Sequence, residues 1–215
     1  MNVDRRPKVS ALPALVFWLL VWQLGAMALG NPLLLPTPLQ VLRCLGRLGT
    51  TGAFWQTTFV SIGRILVGVV CATALGILLA VLTCARALLH ALIGPAMTAM
   101  QATPVASFTI LVLIWLDRDY VPVLICGMMV LPVIWNSVSG GIRAVDRQLL
   151  EMAQVFRVPA GRKLRGVYLP QIMPYFRTAC SLGLGLCWKS GIAAEVIGMP
   201  EGTIGERLQI GRAHV

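Results

Sequence analysis

Four stretches of this chain run for twenty or more residues without Asp, Glu, Lys or Arg: Ala11 to Gly30, Ile65 to Cys84, Ala87 to Leu116 and Tyr120 to Ile142. A helix rises about 1.5 Å per residue, so each is long enough to cross the ~30 Å hydrocarbon core of a bilayer. A fifth stretch, Pro174 to Gly198, is nearly as apolar but contains Arg177, Lys189 and Glu195. Composition agrees: 57% of residues are hydrophobic and 12% charged, with mean hydropathy +0.80, whereas soluble domains carry roughly 25% charge. The predicted class is an all-α membrane protein with five transmembrane helices, drawn at residues 11–30, 58–84, 98–116, 120–142 and 174–198. Arg64 can snorkel, which lets the second span begin before it. As one helix, Ala87 to Leu116 would be about 45 Å long, more than one crossing needs. Pro95 and Pro104 are therefore expected to break it, leaving a short helix and approach over 87–103 and the core of the third span from Val105. A cleaved signal peptide is the alternative for the first stretch, but Asn31-Pro32 follows it without a clear small-x-small cleavage pattern.

Charge sets the expected orientation. Segment 1–10 has Arg5, Arg6 and Lys8 against Asp4, and the loop 143–173 has Arg143, Arg147, Arg157, Arg162, Lys163 and Arg165 against Asp146 and Glu151. Both should be cytoplasmic, and four crossings do return a chain that starts inside to the inside at Ile142. Arg86 falls inside as well. Arg43 and Arg47 fall outside, in a short amphipathic stretch after Pro32, Pro36 and Pro38, and run mildly against the rule. The net charge of +10 does not point to nucleic acid: the basic residues are dispersed over loops, with no aromatic-interleaved patch, and no nucleic-acid partner is expected.

Helices in lipid associate through small residues and polar contacts. Gly68, Ala72 and Gly76 lie on one helical face, as do Gly183, Cys187 and Gly191, and both sets are read as packing surfaces. Cys44, Cys71, Cys84, Cys126, Cys180 and Cys187 have no metal-ligand spacing and serve as small hydrophobes. His90 has no carboxylate near it in sequence. No nucleophile–base arrangement, acid/base pair or phosphate loop can be assembled, so neither catalysis, a metal nor a cofactor is expected. Lys189 and Glu195 point to faces about 240° apart. Lys189 is a candidate pathway residue for an anionic solute, or the partner of a carboxylate on another span, and Glu195 is read as structural.

The loop 143–173 is the informative segment. Asp146 can cap a helix in which Leu149, Met152, Ala153 and Phe156 recur at i, i+3, i+4 and i+7, with Glu151 among the polar residues. Val158-Pro159-Ala160-Gly161 should stop it. Glu151-Met152-Ala153, followed at the loop's end by Leu169-Pro170, resembles the EAA loop of ABC importer permeases. Four further segments resemble the nitrate/sulfonate/taurine branch of that family: Leu35-Pro36-Thr37-Pro38, Ser61-Ile62-Gly63-Arg64-Ile65-Leu66-Val67-Gly68, Thr103-Pro104-Val105-Ala106, and Trp188 to Glu195. Two departures stand out. Met152 occupies a position usually held by Ala, and Arg157 stands at the loop's usual Gly, so the turn is expected to be made by Pro159 and Gly161.

The resemblance implies a bacterial inner-membrane transport subunit with a cytoplasmic N-terminus, working with a cytoplasmic ATP-binding subunit, a second permease copy as a homodimer, an external solute-binding protein and the surrounding membrane lipid. It implies that Leu149, Glu151, Met152, Ala153 and Phe156 couple to the ATPase, with Leu169 and Pro170 positioning the next span. A small anion such as a sulfonate, taurine or nitrate would be the solute. A self-contained secondary transporter or channel is the alternative class. Such permeases should have a sixth span. Residues 209–215 back-translate, with allowed codons, to a series that contains a sequencing-adapter sequence, so this tail is expected to be read-through, with the genuine frame ending near Leu208.

Overall fold

The computed structural model describes residues 11–31 and 34–213, without the side chains of Ala11 and of residues 209–213. The expected cytoplasmic segment 1–10 and the end of the tail, His214-Val215, lie outside the described residues. Everything regular within them is helical: α1 (Ala11–Leu29), α2 (Pro38–Gly49), α3 (Gly52–Ala85), α4 (Ala87–Ala102), α5 (Val105–Leu113), α6 (Val121–Arg143), α7 (Arg147–Val155), α8 (Ala160–Lys163), a π-helical turn (Leu164–Tyr168), α9 (Leu169–Gly198) and α10 (Ile204–Ala213). Four helical runs are long and apolar enough to cross a membrane, starting at Leu12, Gly52, Val121 and Ala160, and the bent pair α4–α5 makes up to five.

The chain divides into two compact units at Trp55. In the first, α1 is bare, with apolar side chains exposed on all sides, as a helix in lipid should be. Gly30 takes φ +60°, a left-handed turn that glycine makes freely. The chain then folds back along α1, where Trp22 Nε1 donates to Pro36 O at 3.1 Å. A reciprocal capping box starts α2: Gln40 N donates to Thr37 Oγ1 at 3.3 Å, and Thr37 N to Gln40 Oε1 at 2.9 Å.

The second unit is built on α3, α6 and α9. Contacts at Gly68–Val123 and Gly76–Ile134 advance together along α3 and α6, which makes these helices parallel. Cys126–Gly191 and Gly141–Tyr175 run in opposite order, which makes α9 antiparallel to α6. The spacing is set by missing side chains: a Cβ on Gly68 would lie 2.6 Å from Val123 O, and one on Gly191 2.7 Å from Cys126 Sγ. With no hydrophobic gain available between helices in lipid, this close approach is what holds them, together with polar contacts such as Trp135 Nε1 donating to Thr83 Oγ1 at 3.0 Å.

Three sequence expectations meet a different helical pattern. Residues 98–116 are not one continuous helix. Thr103 (ψ 126°) and Pro104 (ψ 125°) are extended, because a residue before proline avoids the helical region, and α4 and α5 meet at 101°. His90 in α4 stacks on Trp135 near the C-terminal end of α6, while Leu113 in α5 reaches Gly198 at the C-terminal end of α9. Together the two halves cover the length of the bundle. Pro95, expected to be a second break, stays inside α4, as membrane helices allow. The helix that contains residues 174–198 starts well before Pro174: the helical run begins at Ala160, so much of the expected loop is helix. The π turn, in which Leu169 N–H reaches back to Leu164 O, widens the helix just ahead of Pro170. That relieves the clash a proline ring makes with the carbonyl one turn earlier.

Candidate functional site

α7 leaves the C-terminal end of α6, at the end of the bundle where α9 begins. Asp146 caps it, accepting from Gln148 N at 2.8 Å, and Asp146 N–H donates to Gln171 Oε1 at 2.9 Å. The second bond ties the start of α7 to α9. Nothing in the sequence pattern singles out Gln171.

The far end of α7 closes in a Schellman motif, with Val158 N donating to Ala153 O (2.9 Å) and Arg157 N to Gln154 O (3.0 Å). The motif needs a left-handed residue after the cap, and Arg157 supplies it at φ +47°. The expectation that Pro159 and Gly161 make this turn is therefore wrong. Arg157 occupies the glycine position and adopts glycine's conformation.

The apolar face of α7 divides in two. Ala153 is 3% exposed and Leu150 half-buried, so these seat the helix on its own molecule. Leu149, Met152, Val155 and Phe156 are 38, 48, 79 and 75% exposed. At 100° per residue they form one continuous arc beside the seated edge. Val155 extends the predicted face outward, and Ala153 is turned inward. Glu151 is exposed on the same short helix; Leu169 and Pro170 are also exposed, at the start of α9.

Of the three charged residues in α9, Arg177 is exposed in its first half, and Lys189 and Glu195 are disposed differently from each other. Lys189 is exposed, opposite the buried face formed by Gly183, Cys187, Ser190 and Ala194, and it is hydrogen-bonded to none of the described residues. The arc around it, at successive helical turns, holds Thr178, Ser181 and Gly185. Glu195 is fully buried. Its Oε2 accepts from Ser61 Oγ at 2.8 Å and from Gly205 N, at the start of α10, at 3.4 Å. Ser61 in turn accepts from Ile204 N at 3.0 Å. A carboxylate suits a helix N-terminus, where amide protons are unsatisfied. The reversal that brings α10 there is made at Met199, φ +46°. One turn along α3 from Ser61, Arg64 pairs with Asp119 at 2.9 Å, so this arginine is held by a partner rather than left to snorkel. Glu195 thus fastens α10 and α3 to α9 and does not face Lys189.

No arrangement of nucleophile and base accompanies these groups among the described residues. What remains is a helical bundle with an amphipathic helix at one end and an exposed lysine among apolar residues in α9. Residues 72–213 match the family described as binding-protein-dependent transport system inner membrane component. Among the relatives, SsuC of Bacillus subtilis, named for aliphatic sulfonates transport, is 25% identical over 89% of this chain and 69% of its own length. The taurine transport system permease protein TauC of Escherichia coli is 25% identical over 84% of this chain and 68% of its own. The bicarbonate transport system permease protein CmpB of Synechococcus elongatus is 28% identical over 89% and 71%. The chain belongs to the family of inner-membrane permease components of binding-protein-dependent ABC transporters, and is a transport subunit rather than an enzyme.

Proposed function

We propose that this permease is driven by a separate ATPase docking on α7 and forms, with a second copy of itself, the pathway for a small anion such as a sulfonate, taurine or nitrate. The division of α7 carries this reading. One edge is seated through Ala153, while Leu149, Met152, Val155 and Phe156 stand exposed as a partner would need them. Each large apolar side chain buried on docking contributes roughly 1.5–3 kcal/mol. The N-terminus and the loop 143–173 lie on the cytoplasmic side: Arg86, Arg143 and Arg147 all fall at the end of the bundle where α7 sits, and positive residues favour the inside. Met152 and Phe156 make contact with the ATPase, Glu151 lies on its rim, and Leu169 and Pro170 pass the movement to α9.

Lys189 supports the choice of an anion. A charge within a span avoids lipid, so the stripe Thr178–Ser181–Gly185–Lys189 faces a polar route between two copies. Relatives named for sulfonates, taurine and bicarbonate fit an anion, while others are named for riboflavin and formylaminopyrimidine, so the choice of an anion rests on Lys189. The test is uptake by vesicles holding the permease, its ATPase and its binding protein. Uptake should require ATP and the binding protein, and Lys189→Met should lower uptake of these anions roughly tenfold or more, the value of one hydrogen bond to a charged group. Transport that continues without ATP would indicate a secondary transporter. Unchanged anion uptake by Lys189→Met, or preference for a neutral vitamin, would reject the pathway assignment.

A further inference from the structure

The amphipathic helix α2 has no role in the reading above. It contributes no buried residue, and Leu39, Leu42, Leu45 and Leu48 are all exposed. At 100° per residue these leucines, with Val41 and Cys44, occupy a broad arc, while Gln40, Arg43 and Arg47 gather on the opposite side. The side chains of Arg43 and Arg47 have no partner among the described residues.

Three observations indicate what covers this leucine face. First, α2 is stapled to a bare span. Trp22 Nε1 holds Pro36 O at 3.1 Å, and a Cβ on Gly25 would lie 3.8 Å from Leu35 Cδ2. The leucine face therefore lies on a helix held beside the exposed apolar surface of α1. Second, the staple sets a depth. Trp22 is seven residues before the end of α1 at Leu29, which at 1.5 Å per residue is about 10 Å below the end of the span. Amphipathic helices lie about 5–10 Å into the boundary between headgroups and acyl chains. Third, the only charges on α2 are the two arginines of its polar edge, complementary to phospholipid phosphates. At its other end α2 is fixed by Trp55 Nε1, which donates to Gly49 O at 2.9 Å, just as α3 begins.

We infer that α2 is an in-plane membrane anchor: its leucine face is covered by acyl chains of one leaflet, and Arg43 and Arg47 bind the phosphates of anionic lipid headgroups. The anchor fixes the exit of α1 and the entry of α3 at one level in the bilayer. The two arginines that stood against the positive-inside pattern are then lipid ligands rather than topology signals.

The test uses the full chain in its assembled transporter, with Cys44 and Cys71 replaced by Ala, reconstituted in vesicles. Leu45→Cys and Gln40→Cys are labelled separately with an environment-sensitive fluorophore. Phospholipids with a nitroxide on the upper acyl chain should quench the label at position 45 several-fold more than at 40. Replacing phosphatidylcholine by phosphatidylglycerol should raise the quenching at 45, and Arg43→Ala/Arg47→Ala should abolish that rise. Equal quenching at the two positions would overturn the proposal, as would crosslinking of Leu45→Cys to a second copy or to the binding protein. Quenching insensitive to phosphatidylglycerol would refute the headgroup contact.

Discussion

At Arg157 the backbone turns to φ +47°, a left-handed conformation that costs a residue with a Cβ about 1–2 kcal/mol and glycine far less. Arg157→Gly should therefore stabilise the permease by roughly 1 kcal/mol, read as a raised thermal midpoint in detergent, and Arg157→Val should lower it. An unchanged midpoint in both would mean the motif is not formed. A second residue-scale constraint lies at Gly205. A Cβ there would run into the backbone of Glu195 and Val196, so Gly205→Leu should push α10 from α9 and expose the Glu195 carboxylate. Overpacking of this kind costs about 1–3 kcal/mol, and the displaced α10 should be cleaved faster by protease than in the native chain. Glu195 illustrates what a sequence conceals: a carboxylate inside an apolar run marks an expensive group, but its partners Ser61 and Gly205 are 134 and 10 residues away along the chain.

Among the elements, α7 was the most legible, since Asp146 and the i, i+3, i+4, i+7 pattern mark both its start and its apolar stripe. Which part of that stripe faces inward was not legible, because it depends on where the bundle lies; Ala153 is seated and Val155 exposed for that reason alone. Gln171 holds the start of α7 through Asp146 N–H. Gln171→Ala should loosen that end by about 1 kcal/mol, a typical net hydrogen bond, giving faster amide exchange over residues 146–150 with the global midpoint little changed. Slow exchange throughout α7 in the variant would mean the bond does not hold it. Proline positions were legible as irregularities but not as outcomes. Pro104 breaks the helix while Pro95 does not, and Pro170 is accommodated by a π turn ahead of it, because neighbouring helices decide whether freed backbone groups find partners.

At the scale of the whole molecule, charge-free length anticipated an all-helical chain, which has four helical runs long and apolar enough to cross a membrane, or five with the bent pair α4–α5. Within the second unit, the observed directions of α3, α6 and α9 fit alternating crossings, with basic residues gathered where α7 stands. The small-residue faces foreseen at Gly68, Ala72 and Gly76 and at Gly183, Cys187 and Gly191 are the surfaces on which these helices meet. The fold-back that staples α2 to α1 was not legible, since it rests on one tryptophan reaching a carbonyl 14 residues on. In the proposed function, force enters through the exposed arc of α7. Its most direct test is Phe156→Asp, which places a charge on a side chain 75% exposed in the isolated chain and so leaves folding intact. This variant should keep its thermal midpoint yet no longer copurify with the ATPase and should lose ATP-driven uptake; a variant that still binds the ATPase and transports normally would show that force does not enter through α7.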